Sequence, residues 1–79
     1  MEITLDLAAR VCRAVHAAYV EVEPNRWPTA DRVRDAGGWD TTGACRAALR
    51  GAREAGYVGT EGATYYLKSA GVRLLGVAS

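Results

Sequence analysis

Apolar residues recur along this chain with one spacing up to about residue 55 and with another beyond it. Between residues 5 and 21, Leu7, Val11, Ala14 and Ala18 recur at i, i+4, i+7 and i+11, and Leu5, Cys12, Val15 and Tyr19 make a second stripe. Such spacings align side chains along a helix, and two adjacent stripes predict a first helix buried over a wide face. Thr4 or Asp6 can cap it. It must stop before Pro24, because the residue ahead of a proline resists helical backbone. Pro24-Asn25-Arg26-Trp27-Pro28 reads as a turn-rich connector.

A short second helix is predicted over residues 30–36, with Thr29 at its N-cap position and Ala30, Val33 and Ala36 facing inward. Gly37-Gly38 ends it. A third helix spans about residues 41–55, opened by Asp40 or Thr41 and stopped by Gly56. Its buried face is Cys45, Ala48, Leu49 and Ala52, at i, i+3, i+4 and i+7. Past Gly56 the pattern turns strand-like. Residues 57–60 and 64–67 are rich in Tyr, Val and Thr, and Glu61-Gly62-Ala63 makes the turn of a tight hairpin. Alternation sends Tyr65 and Leu67 toward the core and Tyr66 to the other side, where a half-buried packing role is expected and contact with DNA or a partner is the alternative. Ser69 is expected to cap a last short helix, with Val72, Leu74, Leu75 and Ala78 inward. The expected fold class is mainly α with a small β-hairpin, a winged helix-turn-helix, as one domain over residues 1–79.

Beside this order stands a motif likeness. The stretch Pro28-Thr29, Val33, Gly38-Trp39, Leu49 and Gly56-Tyr57-Val58 resembles the N-terminal domain of SOS-response repressors. Those domains open their second helix with Pro-Thr, turn on a Gly-aromatic pair, and carry a central Leu in a helix closed by Gly. Tyr65-Tyr66-Leu67-Lys68-Ser69-Ala70-Gly71 is similar to the step after the wing in multidrug-response-type and other small winged-helix repressors. The resemblance implies DNA binding, with the start of the second helix against the phosphate backbone. The chain has no room for the self-cleaving C-terminal domain of the SOS repressors, so self-cleavage is not expected and dimerisation must arise elsewhere.

Composition narrows the function further. The net charge is only +1, so nucleic-acid binding must come from a local patch rather than a global field. Lys68 is the single lysine among ten basic residues, a bias that fits a GC-rich bacterial or phage genome. No apolar run approaches the ~18 residues of a membrane span, and the N-terminus lacks a signal-peptide pattern, so the cytoplasm is the expected location. Two cysteines make no disulfide framework.

The local patch is on the third helix. Arg46, Arg50 and Arg53 recur at i, i+4 and i+7 and share one stripe, about a quarter-turn round from the apolar face. Thr41, Thr42, Gly43 and Ala47 continue it toward the helix N-terminus, where small residues allow close approach to a DNA groove. Arginine reads guanine O6 and N7 or clamps a phosphate. The alternative is a solvated face, with Arg50 and Glu54 pairing at i, i+4. Thr29 and Arg32 offer a phosphate site at the second helix, weakened by Asp31 and Asp35. The wing tip lacks basic residues, leaving Thr60 and Thr64 as its donors.

Other chemistry finds little support. Cys12 and His16 at i, i+4, with Cys45, lack zinc spacing and a fourth ligand, so no metal and no cofactor are expected. Trp39 is expected to pin the turn to the core, while Trp27 either covers the core or contacts a partner. No nucleophile–base pair or phosphate-cradling loop emerges, and the Asp31/Asp35 pair is more simply solvated, so an enzyme is not expected. The expected function is sequence-specific binding of double-stranded DNA by a small transcriptional regulator, with its third helix in the major groove. A homodimer through the first and last helices would enlarge its footprint. The alternative is a winged-helix module that contacts a protein partner, such as a phage protein binding a host factor, without DNA. Arginines of the third helix tied up by Asp31, Asp35 or Glu54 would favour the protein partner.

Overall fold

The computed structural model describes residues 3–21 and 26–78, which form α1 (Leu5–Glu21), α2 (Ala30–Gly37), α3 (Thr42–Glu54), β1 (Val58–Glu61), β2 (Thr64–Leu67) and α4 (Ser69–Ala78). Pro24 and Asn25 of the connector, and the side chain of Ala78, lie outside the described residues. The architecture is mainly α with a small hairpin, in the order of a winged helix-turn-helix. No helix among the described residues is long and apolar enough to cross a membrane.

Each helix boundary has a local cause. Thr4 caps α1: its Oγ1 accepts from the Leu7 N–H at 3.2 Å and its carbonyl from the Ala8 N–H at 2.9 Å. Asp6 lies within the first turn, where a carboxylate favours the helix dipole. Gly38 ends α2 in the left-handed region (φ 72°), and the Trp39 N–H returns to the Arg34 carbonyl at 3.1 Å. Thr41 opens α3, its hydroxyl accepting from the Ala44 N–H at 3.1 Å. Gly56 (φ 87°) closes the helix, letting the Tyr57 N–H reach the Ala52 carbonyl at 2.9 Å.

The hairpin pairs Val58 with Leu67, Gly59 with Tyr66, Thr60 with Tyr65, and Glu61 with Thr64. Glu61 therefore belongs to the strand, and the loop is only Gly62-Ala63, with Gly62 at φ 62°. A glycine with positive φ at the first loop position matches the two-residue turns that suit strand twist. The wing is also stitched to the start of α2. Thr29 bridges Thr64, and the Tyr65 N–H donates to the Pro28 carbonyl at 2.9 Å.

The core is built from small side chains of α1, α2, α3 and β1. Val11, Val15, Val33, Cys45, Leu49, Ala52 and Val58 are buried, with Leu7, Trp27, Trp39, Tyr57, Tyr65 and Leu67 packed at its edge. The full predicted face of α3, Cys45, Ala48, Leu49 and Ala52, is buried. Trp39 lies at the core edge as expected. Trp27 covers the core, stacked on Tyr19 with ring centroids 4.2 Å apart. Tyr66 is half-buried across Gly59 and tilted against Trp27.

Besides the turn bounds, four sequence expectations need correction. Leu5 is exposed at the first position of α1, where Ile3 and Leu7, not Leu5, pack against the core. Ala36 is exposed and Gly37 takes the inward place, since i+7 from Ala30 returns to the same face and i+6 does not. Val72 is exposed because Gly71 is the residue of α4 that packs inward, against the Tyr57 carbonyl, and Val72 lies about 100° round from it. Ser69 sits inside α4 rather than capping it. The Lys68 carbonyl accepts the first helical bond, from the Val72 N–H at 3.0 Å.

Candidate nucleic-acid interface

With its apolar face committed to the core, α3 presents the rest of its surface to solvent. Arg46, Arg50 and Arg53 are all exposed, as are Gly43 and Ala47 beside them. Among the described residues, no carboxylate pairs with any of the three arginines. Asp35 is bound instead by Arg34 of its own helix, at 3.1 Å. Asp31 accepts a hydrogen bond from Thr42 at 3.2 Å. Glu54 is exposed one turn after Arg50 without an ion pair to it.

The start of α3 is held by a network that the sequence did not disclose. Arg34 Nη1 donates to Thr42 Oγ1 at 2.8 Å, and the same hydroxyl donates to Asp31 Oδ1. The two threonines that open the helix therefore have working hydroxyls: Thr41 caps, and Thr42 is clamped between Asp31 and Arg34 of α2. Asp31 and Arg34 stand three residues apart and so share one side of α2, but that this side meets α3 is set by the helix crossing and not by the sequence.

The remaining predicted residues lie elsewhere. Thr29 is exposed at the N-cap of α2, but its hydroxyl makes no capping bond. Arg32 is exposed and lines a shallow depression with Ala18, Asp35 and Ala36, away from the Asp31–Thr42 contact. On the wing, Thr60 is exposed, whereas Thr64 Oγ1 donates to the Glu61 carbonyl at 2.7 Å and braces the turn.

A second feature adjoins the stripe. An open groove of about 760 Å³ runs between the start of α1 and the outer side of α3, lined among others by Ile3, Leu7, Trp39, Ala47, Arg50 and Glu54. Arg50 thus stands at the junction of the basic stripe and the groove.

The cysteines and histidine do not form a cluster. Cys12 is buried and His16, one turn later, is exposed. Burial pushes the Cys12 thiol up to about 11, against a small pull from Arg13. Burial also raises Cys45, whose thiol points at the Ala30 carbonyl at 3.6 Å; Arg34 and Arg10 oppose that rise and Asp31 adds to it. Both thiols behave as small core side chains.

The chain matches no family model, and no curated protein or solved structure matches it significantly.

Proposed function

We propose that the protein is a small transcriptional regulator that binds double-stranded DNA in a sequence-specific manner, with α3 in the major groove. The observation that carries this reading is the stripe Arg46–Arg50–Arg53, exposed along the last helix of a helix-turn-helix and without a carboxylate partner among the described residues. Unpaired guanidinium groups at helical spacing suit phosphates and guanine edges. Gly43 and Ala47 leave the helix surface low enough to approach base edges. The likeness of Pro28 to Val58 to SOS-response repressors supports the same reading.

One observation favours a second reading, a protein-contact module without DNA. The wing tip, Glu61-Gly62-Ala63, is exposed and carries a negative charge where a DNA-bound wing would carry a positive one.

Replacing Arg46, Arg50 and Arg53 together by alanine separates the two. The DNA reading expects binding to random duplex at low salt to disappear while stability stays within about 0.5 kcal/mol of the parent, as for exposed surface positions. Duplex binding that survives the triple substitution contradicts it.

A further inference from the structure

Which DNA this surface takes follows from the groups still free to bind it, granted the proposal that α3 is the reading helix. The Thr41 hydroxyl oxygen accepts from the Ala44 N–H and keeps its own hydrogen to donate, whereas the Thr42 hydroxyl both accepts from Arg34 and donates to Asp31. Gly43 and Ala47 offer no hydrogen-bonding side chain. Past the single Thr41 O–H at the entry, the side-chain donors along the N-terminal and central part of α3 that can make two bonds to one base are the guanidinium groups of Arg46 and Arg50. The helix contains no Asn or Gln, the side chains that pair bidentately with adenine; the chain has no Gln, and its single Asn, Asn25, lies in the connector. Arg53 is in the last turn, where a recognition helix runs out toward the backbone and meets phosphate.

Geometry then sets the spacing. Residues at i and i+4 stand about 6 Å apart along a helix axis, close to two base-pair steps of about 3.4 Å each. We infer that the preferred ligand is a duplex in which two guanines, within about two base-pair steps of one another, face Arg46 and Arg50 in the major groove. Each arginine donates to O6 and N7 of its guanine, and Arg53 holds a phosphate. Ala47, between the two readers, presents only a methyl group and fits beside a thymine methyl or an unread pair.

The test is selection of the full chain on a randomised duplex library, followed by replacement of each selected guanine with 7-deazaguanine. That base keeps Watson–Crick pairing and lacks the N7 acceptor. The expected result is G·C enrichment at two positions within about three base pairs. Each 7-deaza replacement should weaken binding roughly 2- to 13-fold, about half the discrimination of a bidentate pair, because the O6 acceptor is retained. Arg50→Gln should move the preference at one position from guanine to adenine. Selection of sites without guanine, or affinities unchanged by both 7-deaza replacements, would overturn the inference while leaving the DNA reading intact. Absence of binding to any duplex at low salt would overturn the DNA reading itself, and this inference with it.

Discussion

The guanidinium of Arg10 lies 4.2 Å from the ring centroid of Trp39 and, from that position, donates two hydrogen bonds to the Gly37 carbonyl, at 2.8 and 3.2 Å. One side chain of α1 thereby secures both the C-terminus of α2 and the turn that leads into α3. A cation at a helix C-terminus also opposes the negative end of its dipole. The cation–π contact and the charged hydrogen bonds together are worth about 1–2 kcal/mol in this half-buried setting. Arg10→Met is therefore expected to lower unfolding stability in urea by that amount, and a loss under about 0.3 kcal/mol would show that the contact adds nothing.

Two glycines should respond to alanine with opposite signs. A Cβ on Gly71 would stand 2.3 Å from the Tyr57 carbonyl oxygen, a backbone atom that cannot swing aside. Gly71→Ala should destabilise by about 2 kcal/mol or more as α4 is pushed off the hairpin. On Gly51, the nearest atom is the Ile3 Cβ at 3.4 Å, an ordinary contact. Gly51→Ala should stabilise by about 0.5–1 kcal/mol through helix propensity. Thermal unfolding of the two variants checks the contrast, and destabilisation by both would contradict it.

The buried thiols set a limit at high pH. Cys12 is raised from 9.0 to about 11 in the folded chain, so the folded state retains a proton that the unfolded chain releases above pH 9. This stabilisation is complete below pH 9 and is lost as pH rises toward 11. Cys12→Ala should therefore lose less stability across that window than the parent. In the native chain both thiols should resist a disulfide reagent at pH 8 and react only as fast as the protein opens. Rapid native-state labelling would place a thiol at the surface.

The clamp between α2 and α3 should show as energetic coupling. Arg34→Ala and Thr42→Val each remove the 2.8 Å hydrogen bond between these residues. In a double-mutant cycle the two are expected to couple by about 0.5–1 kcal/mol. Additive effects would mean that the start of α3 is positioned by packing alone.

How far the sequence reveals this protein depends on which forces set each feature. Helical period alone specified the inner face of α3, since four residues at i, i+3, i+4 and i+7 have no other way to be buried together. The hairpin was legible from Tyr, Val and Thr flanking a glycine turn. Period says less at a helix end, where Leu5 stands outside, and it misleads where a glycine holds the inward place, as Gly37 does beside Ala36 and Gly71 beside Val72. The arginine stripe was legible as a stripe, because its members share one helix. The partners of its neighbours were not. That Asp35 binds Arg34, and that Thr42 lies between Arg34 and Asp31, depends on how α2 crosses α3, and no spacing in the sequence encodes that crossing. The Arg10–Trp39 contact joins residues on separate elements and was hidden for the same reason.

The most direct measurement is fluorescence anisotropy of labelled duplex DNA titrated with the protein across a range of salt concentrations. The account predicts binding at low salt that weakens steeply as salt rises, with a slope of log affinity against log salt of about −2 or steeper, each neutralised phosphate contributing about −0.9. No binding at low salt, or binding indifferent to salt, would contradict a DNA interface on α3 and turn the arginine stripe and its adjoining groove toward a protein partner.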